Sequence, residues 1–161
     1  MSFDTKILTQ GNWGGIMKTQ NGEFNKVPQK KEEVEAYLLK LQYALQDENT
    51  LIEFQEERYV DLYREKEYTN VYTVAELFPD ESPKEAIKRE LTNLKVHEYI
   101  ETVKDRRYPK RSELWVFGRK YGEKDVYIKF RVEIIQRNHI FVLSFHFSTI
   151  PFSEIHFPFA K

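Results

Sequence analysis

Tyr127, Lys129 and Arg131 alternate along one predicted strand, and His146 sits on the next. A phenol, an ammonium, a guanidinium and an imidazole on one face could cut a phosphodiester without a metal. Histidine moves a proton near neutral pH. Lysine and arginine hold charge on phosphate oxygens. Tyrosine donates a hydrogen bond, or acts as a base where cations lower its pKa. The plainer alternative is that alternating polar residues are a strand's solvent face. His146, between Phe145 and Phe147, would then be a satisfied structural histidine.

Just upstream, Lys104-Asp-Arg-Arg-Tyr-Pro-Lys-Arg111 holds five basic residues and one acid in eight positions. Lys104, Arg106, Arg107, Lys110 and Arg111 can neutralise backbone phosphates, and Tyr108 can stack on an unpaired base. Arg119 extends this RNA-binding set. Pro109 and the charge density mark a loop that feeds onto the strand face; the alternative is a solvated turn.

Other chemistries find little support. His97, His139, His146 and His156 lack metal-site spacing, so no metal or cofactor is expected. Gly11-Asn-Trp-Gly-Gly15 is followed by no Gly-Lys-Ser/Thr, so it is not a phosphate loop. There is no Gly-x-Ser-x-Gly elbow. The absence of cysteine excludes disulfides, thiolate zinc sites and cysteine nucleophiles, and suits a reducing cytoplasm. No apolar run approaches the roughly 18 residues of a membrane span, and Met-Ser-Phe-Asp-Thr-Lys is no secretory signal. A cytoplasmic protein without membrane partners is expected.

Charge is unevenly spread. Residues 104–161 hold twelve Lys/Arg against six Asp/Glu; residues 1–103 hold thirteen against twenty. A basic C-terminal third is what a polyanion-binding surface requires. The alternative is that the two parts neutralise each other in the fold.

These groups need a scaffold. The 161 residues fit one domain, with an arm. Residues 1–29, rich in Gly, Asn and Gln, read as a weakly structured arm anchored by Trp13; residues 30–161 read as one domain. Val34, Tyr37, Leu38, Leu41 and Leu45 have the spacing of an amphipathic helix over about 31–46. A short strand follows at 50–55. Residues 56–69 are highly charged and undecided between strand and helix. A short helix is predicted over 70–78, and another from Pro83 to Leu94, with Ser82 as its cap. Leu114–Phe117 begins a β-run, Tyr121–Lys124 is a turn, and Asp125–Ile134 alternates strictly. After a turn at Arg137-Asn138, Phe141, Leu143, Phe145 and Phe147 are expected on one face, with Val142, Ser144 and His146 on the other. The Pro-punctuated aromatic tail is expected to lie over the sheet. The fold class is α+β: an antiparallel sheet, made of a C-terminal three-stranded meander and an N-terminal strand, with two to three helices on one face. The other face is left free to work.

Glu113-Leu-Trp-Val-Phe-Gly118, Asp125-Val-Tyr-Ile-Lys-Phe130 and Leu143-Ser-Phe-His-Phe147 resemble the MqsR-like branch of type II toxin–antitoxin toxins. Upstream, Val74-Ala-Glu-Leu77, Lys84-Glu-Ala-Ile-Lys-Arg-Glu-Leu91, Tyr99 and Asp105-Arg106 fit the same order. The likeness covers roughly residues 33–152. It implies a RelE-like fold, an mRNA-cleaving endoribonuclease that needs no metal, and a cognate antitoxin as partner. The implied reaction is attack of the ribose 2′-OH on the adjacent phosphate. Tyr127 and Lys129 match the family's Val-Tyr-Leu/Ile-Lys motif. His146 stands where its best-known members have lysine. The arm, residues 56–69 and the low pI of about 6.5 depart from the pattern.

On this reading Tyr127 and His146 are acid/base partners, Lys129 and Arg131 stabilise the transition state, and Lys104, Arg106, Arg107, Tyr108, Lys110, Arg111 and Arg119 hold RNA. The competing reading is an inactive toxin-fold binding module for a protein or nucleic acid. It expects His146 to be buried or far from Tyr127, beside an exposed apolar patch. A DNA-binding regulator is a third reading, weakened because no second helix follows at helix-turn-helix spacing.

Overall fold

The helical and alternating patterns each bury one face, and one core joins them. A computed structural model describes residues 25–134 and 136–161. The expected arm, with Trp13, falls outside the described residues up to residue 24. Lys26 bridges Val103, and the Val27 amide donates to the Thr102 carbonyl.

In chain order come α1 (Lys31–Gln46), β1 (Leu51–Phe54), α2 (Asn70–Leu77), α3 (Pro83–Thr92), β2 (Tyr99–Val103), β3 (Leu114–Tyr121), β4 (Lys124–Ile134) and β5 (Asn138–Phe147). The fold is α+β, with the helices grouped on one face of a five-stranded sheet ordered β1-β5-β4-β3-β2. Two features differ from expectation. The sheet is mixed, because β1 runs parallel to β5. It also has a fifth strand, β2, antiparallel to β3.

Val34, Leu38, Leu41 and Leu45 of α1 are buried against the helix-bearing face of the sheet, where Val126, Ile128, Phe130 and Val132 are closed to solvent. Tyr37 stacks on Trp115 at 3.9 Å, and its hydroxyl accepts the Val132 amide at 2.7 Å. At the Tyr121–Lys124 turn, Gly122 has φ +64°, a conformation that favours glycine.

A bulge sets which side chains share the other face. Lys129 pairs with Ser144, but Phe130 pairs with Val142, so Leu143 is the extra residue. Alternation in β5 therefore changes phase there. Ile140 and Val142 join Phe145 and Phe147 in the core. Phe141 instead opposes Arg131, on the face away from the helices. The expected common face for Phe141, Leu143, Phe145 and Phe147 is thus corrected. On one side of the bulge Tyr127 faces His146, and on the turn side Glu133 faces His139.

β1 covers β5 only from His139 to Val142. Further along, α2 takes over. Asn70, fully buried, donates to the Gln55 and Leu143 carbonyls at 2.7 and 3.0 Å and accepts the Phe145 amide at 2.9 Å. Thr73 Oγ1 accepts the Phe147 amide at 2.9 Å. Helix side chains thus satisfy the strand where no neighbour strand runs. Asn70→Ala would leave two carbonyls and one amide unpaired in the interior. We expect it to destabilise the fold by about 3 kcal/mol in a denaturant titration. A loss under about 1 kcal/mol would show that β5 does not depend on this edge.

The face away from the helices is not open. Residues 56–69, unassigned from sequence, form two short 3₁₀ turns, Tyr59–Tyr63 and Lys66–Tyr68. Arg58 reaches Ser144 on this face. The tail approaches from the other side. Phe152 lies against Gly118, where a Cβ would meet its ring at 2.8 Å, and its amide donates to Asp125 Oδ2 at 3.0 Å. Phe159 stacks on Tyr99 in the core at 5.8 Å, so the tail passes from one face to the other.

Candidate functional site

Strand pleat and bulge together bring Tyr127, Lys129, Ser144 and His146 to one face. Residues 58–64 add Arg58 and Arg64 from above. With Ser148 and Ile150 these side chains line a cleft of about 280 Å³. No carboxylate is among its lining residues; Glu101 and Asp61 act on the cations from beyond the lining.

The rings of Tyr127 and His146 stack across the strands at 5.5 Å and 23°. His146 is only 7% exposed. Its Nδ1 lies 3.0 Å from the Phe147 carbonyl. A carbonyl only accepts, so Nδ1 carries the hydrogen and Nε2 keeps a free lone pair. Burial pushes the imidazole pKa down to about 3, helped by Arg64, Arg58 and Lys129 and opposed by the Phe147 bond. The ring is therefore neutral at pH 7. Burial also raises the Tyr127 phenol, more than Arg58 and Arg64 lower it. Tyr127 can donate a hydrogen bond but holds its proton firmly.

The cations also perturb one another. Burial and Arg58 bring the Lys129 ammonium down to about 8. Arg58 falls to about 10 through burial and Arg64. Arg64 is lowered by burial. Arg58 Nη1 donates to Ser144 Oγ at 3.2 Å, and Arg64 Nη1 to the Tyr68 carbonyl at 3.2 Å. Lys129 Nζ sits 5.7 Å from the Tyr127 ring centroid. Three half-buried cations that depress each other's charge favour an anion between them.

The remaining predicted residues are placed differently. Arg131 shares the face but is 2% exposed and does not line the cleft. It pairs with Asp105, and its guanidinium lies 4.9 Å from the Phe141 ring centroid. It is a tether for the basic loop, not a group that reaches a ligand. Asp105 Oδ1 in turn accepts the Arg107 and Tyr108 amides at 3.1 and 3.2 Å. Arg111 is paired with Glu133, which also accepts the Ser112 amide and hydroxyl. Lys104, Arg106, Arg107, Tyr108 and Lys110 are exposed. Arg107 is close enough to Arg58 to depress it further, so the loop continues the cationic surface. Arg119 lies on the helix-bearing face, opposite Val126. It bonds Glu98 and the backbone carbonyls of Glu90 and Asn93. That corrects its assignment to the RNA-holding set: it fastens the end of α3.

The sequence does not single out Arg58 and Arg64, because residues 56–69 have no periodicity to orient them. Ser144 was legible only as a member of the alternating face.

No protein-family model, curated protein or solved structure matches the chain. Among the described residues no group of three or more His, Cys, Asp or Glu could hold a metal ion, and no helix is long and apolar enough to cross a membrane.

Proposed function

We propose that the chain is a toxin-type endoribonuclease that cuts RNA by 2′-OH attack without using a metal, and that a cognate antitoxin protein neutralises it. The observation that carries this reading is the cleft itself. A neutral, correctly tautomeric imidazole, a lysine that titrates near 8 and two arginines meet there with no carboxylate in the lining.

The bound phosphate offsets the cations that depress the imidazole and raises its basicity, and His146 Nε2 then takes the 2′-hydroxyl proton. The 2′ oxygen bonds to phosphorus as the bond to the 5′ oxygen breaks. Lys129 gives its proton to that leaving oxygen. Arg58 and Arg64 hold the non-bridging oxygens as negative charge grows on them. Tyr127 keeps the imidazole ring in place by stacking. The products are a 2′,3′-cyclic phosphate and a 5′-hydroxyl. Relative to the roles read from sequence, Lys129 replaces Tyr127 as the acid and Arg58 and Arg64 replace Arg131.

The test is an end-labelled single-stranded RNA incubated with the purified protein and a chelator. Cleavage is expected to leave cyclic-phosphate ends, and a 2′-deoxy substitution at the cut site is expected to block it. The rate is expected to fall above about pH 8, because Lys129 loses the proton it must give. Lys129→Arg is expected to lower the rate about 10²–10⁴-fold at every pH. If Lys129→Arg keeps the rate and merely shifts the alkaline limb upward, Lys129 supplies charge rather than a proton.

A non-catalytic binding module has two observations in its favour. His146 is buried, and an exposed apolar cluster of Tyr59, Leu62 and Tyr63 lies in the chain between the cleft residues Arg58 and Arg64. RNA that is bound but stays intact from pH 5 to 9 would select that reading.

A further inference from the structure

The first 3₁₀ turn, Tyr59–Tyr63, buries none of its residues. Tyr59, Leu62 and Tyr63 are 63%, 74% and 73% exposed. Three large apolar side chains left in water on one five-residue turn call for a ligand face. The two rings are ordered relative to each other. Their centroids are 5.7 Å apart, edge to face, and their hydroxyls share a hydrogen bond at 3.1 Å. The turn is also fixed at its start: the Arg58 amide donates to Asp61 Oδ2 at 2.9 Å. Its immediate neighbours in the chain are Arg58 and Arg64, and both line the cationic cleft. One short segment thus carries two phosphate-holding cations and, between them, two exposed aromatic rings.

We propose that Tyr59 and Tyr63 form a stacking shelf for unpaired bases of the strand whose phosphate occupies the cleft, so that the ligand is single-stranded RNA rather than duplex. This rests on the reading of the cleft as a phosphodiester site. The charge on either side of the shelf selects the occupant. A strand of phosphates matches Arg58 and Arg64, and every base offers a face to a ring whatever its identity. A base inside a duplex has both faces covered by its neighbours, so the shelf discriminates by pairing state. Stacking of this kind tolerates sequence, so the shelf adds affinity without reading bases. A protein partner covering the same rings is the competing outcome.

The experiment measures binding by fluorescence anisotropy at fixed salt. The probes are a cleavage-resistant 2′-deoxy-substituted single-stranded oligonucleotide, a base-free strand of equal length, and the matching duplex. Wild-type protein is expected to bind the base-bearing single strand about tenfold or more tighter than the base-free strand or the duplex. Tyr59→Ala with Tyr63→Ala is expected to abolish that preference while leaving base-free binding unchanged. Both rings are exposed, so the variant should fold, and a thermal melt checks it. Tyr59→Phe with Tyr63→Phe is expected to keep the preference, because the ring faces carry it. If the alanine pair retains the wild-type preference, or the phenylalanine pair loses it, the shelf is overturned and the cleft reading stands. Equal wild-type binding of the base-bearing and base-free strands also overturns the shelf and leaves the rings to a protein partner. If wild type binds none of the strands, the cleft reading fails and the shelf falls with it.

Discussion

Alanine at position 146 is expected to lower kcat for RNA cleavage by about 10²–10⁴-fold, with RNA affinity changed only a few-fold. Among the side chains lining the cleft, the imidazole is the nitrogen base that is unprotonated at pH 7. The phenol holds its proton too firmly to act as a base, and the lysine is mostly charged. His146→Ala leaves a gap beside the Tyr127 ring, so added imidazole is expected to restore part of the rate. The acid side of the wild-type profile makes a second check. A histidine with an ordinary pKa near 6.5 would lose its base form as pH falls through 6. The free His146 stays neutral until about pH 3. The value of kcat/KM, which reports the free enzyme, is expected to stay level from pH 7 to 5. An unchanged rate in His146→Ala would make the ring structural and move the base elsewhere.

Arg58→Ala is expected to cost about 10²–10³-fold in kcat. A guanidinium that is only partly solvated acts on growing phosphate charge through a weakly screened path. Arg58 is also the cation that most depresses Lys129. Removing it therefore has an opposite second effect. The Lys129 pKa rises toward its ordinary value, and the alkaline fall in rate moves above pH 8. A lower plateau together with that upward shift is the signature. A lower rate with the limb still near pH 8 would mean that Arg58 and Lys129 do not share a site. Arg58→Lys should recover part of the plateau, limited by the lost fork of donors.

Legibility from sequence followed the regularity of each segment. In β4, five apolar residues alternate with polar ones, so Tyr127, Lys129 and Arg131 could be put on one face by period alone. In β5, Ile140-Phe-Val-Leu143 is apolar throughout. Either phase buries hydrophobic groups equally well, so the bulge at Leu143 leaves no mark in the pattern. β2 is five residues long and pairs at the sheet edge, too short for alternation to stand out. The basic loop was legible as a charge cluster. Which of its members are committed to the fold was not, because Asp105–Arg131 and Arg111–Glu133 join residues 26 and 22 positions apart. Arg58 was the hardest case. It meets Ser144 across 86 positions, in a segment without period. The pairing of β1 with β5 brings the chain onto the sheet just before it.

That parallel pairing has a consequence for when the cleft can form. β5 follows the other four strands in the chain, yet it sits between β1 and β4 and supplies both His146 and the seat for Arg58. A growing chain that stops short of residue 139 has no partner for β1, no Ser144 under Arg58 and no His146. Pairing at such separation is also slow to form. On the proposed reading, a newly made molecule cannot cut the message that encodes it until β5 has been translated. On the same reading, products cut short before β5 lack the cleft, and the interval before β5 docks is the window in which the proposed antitoxin would meet an unfinished site.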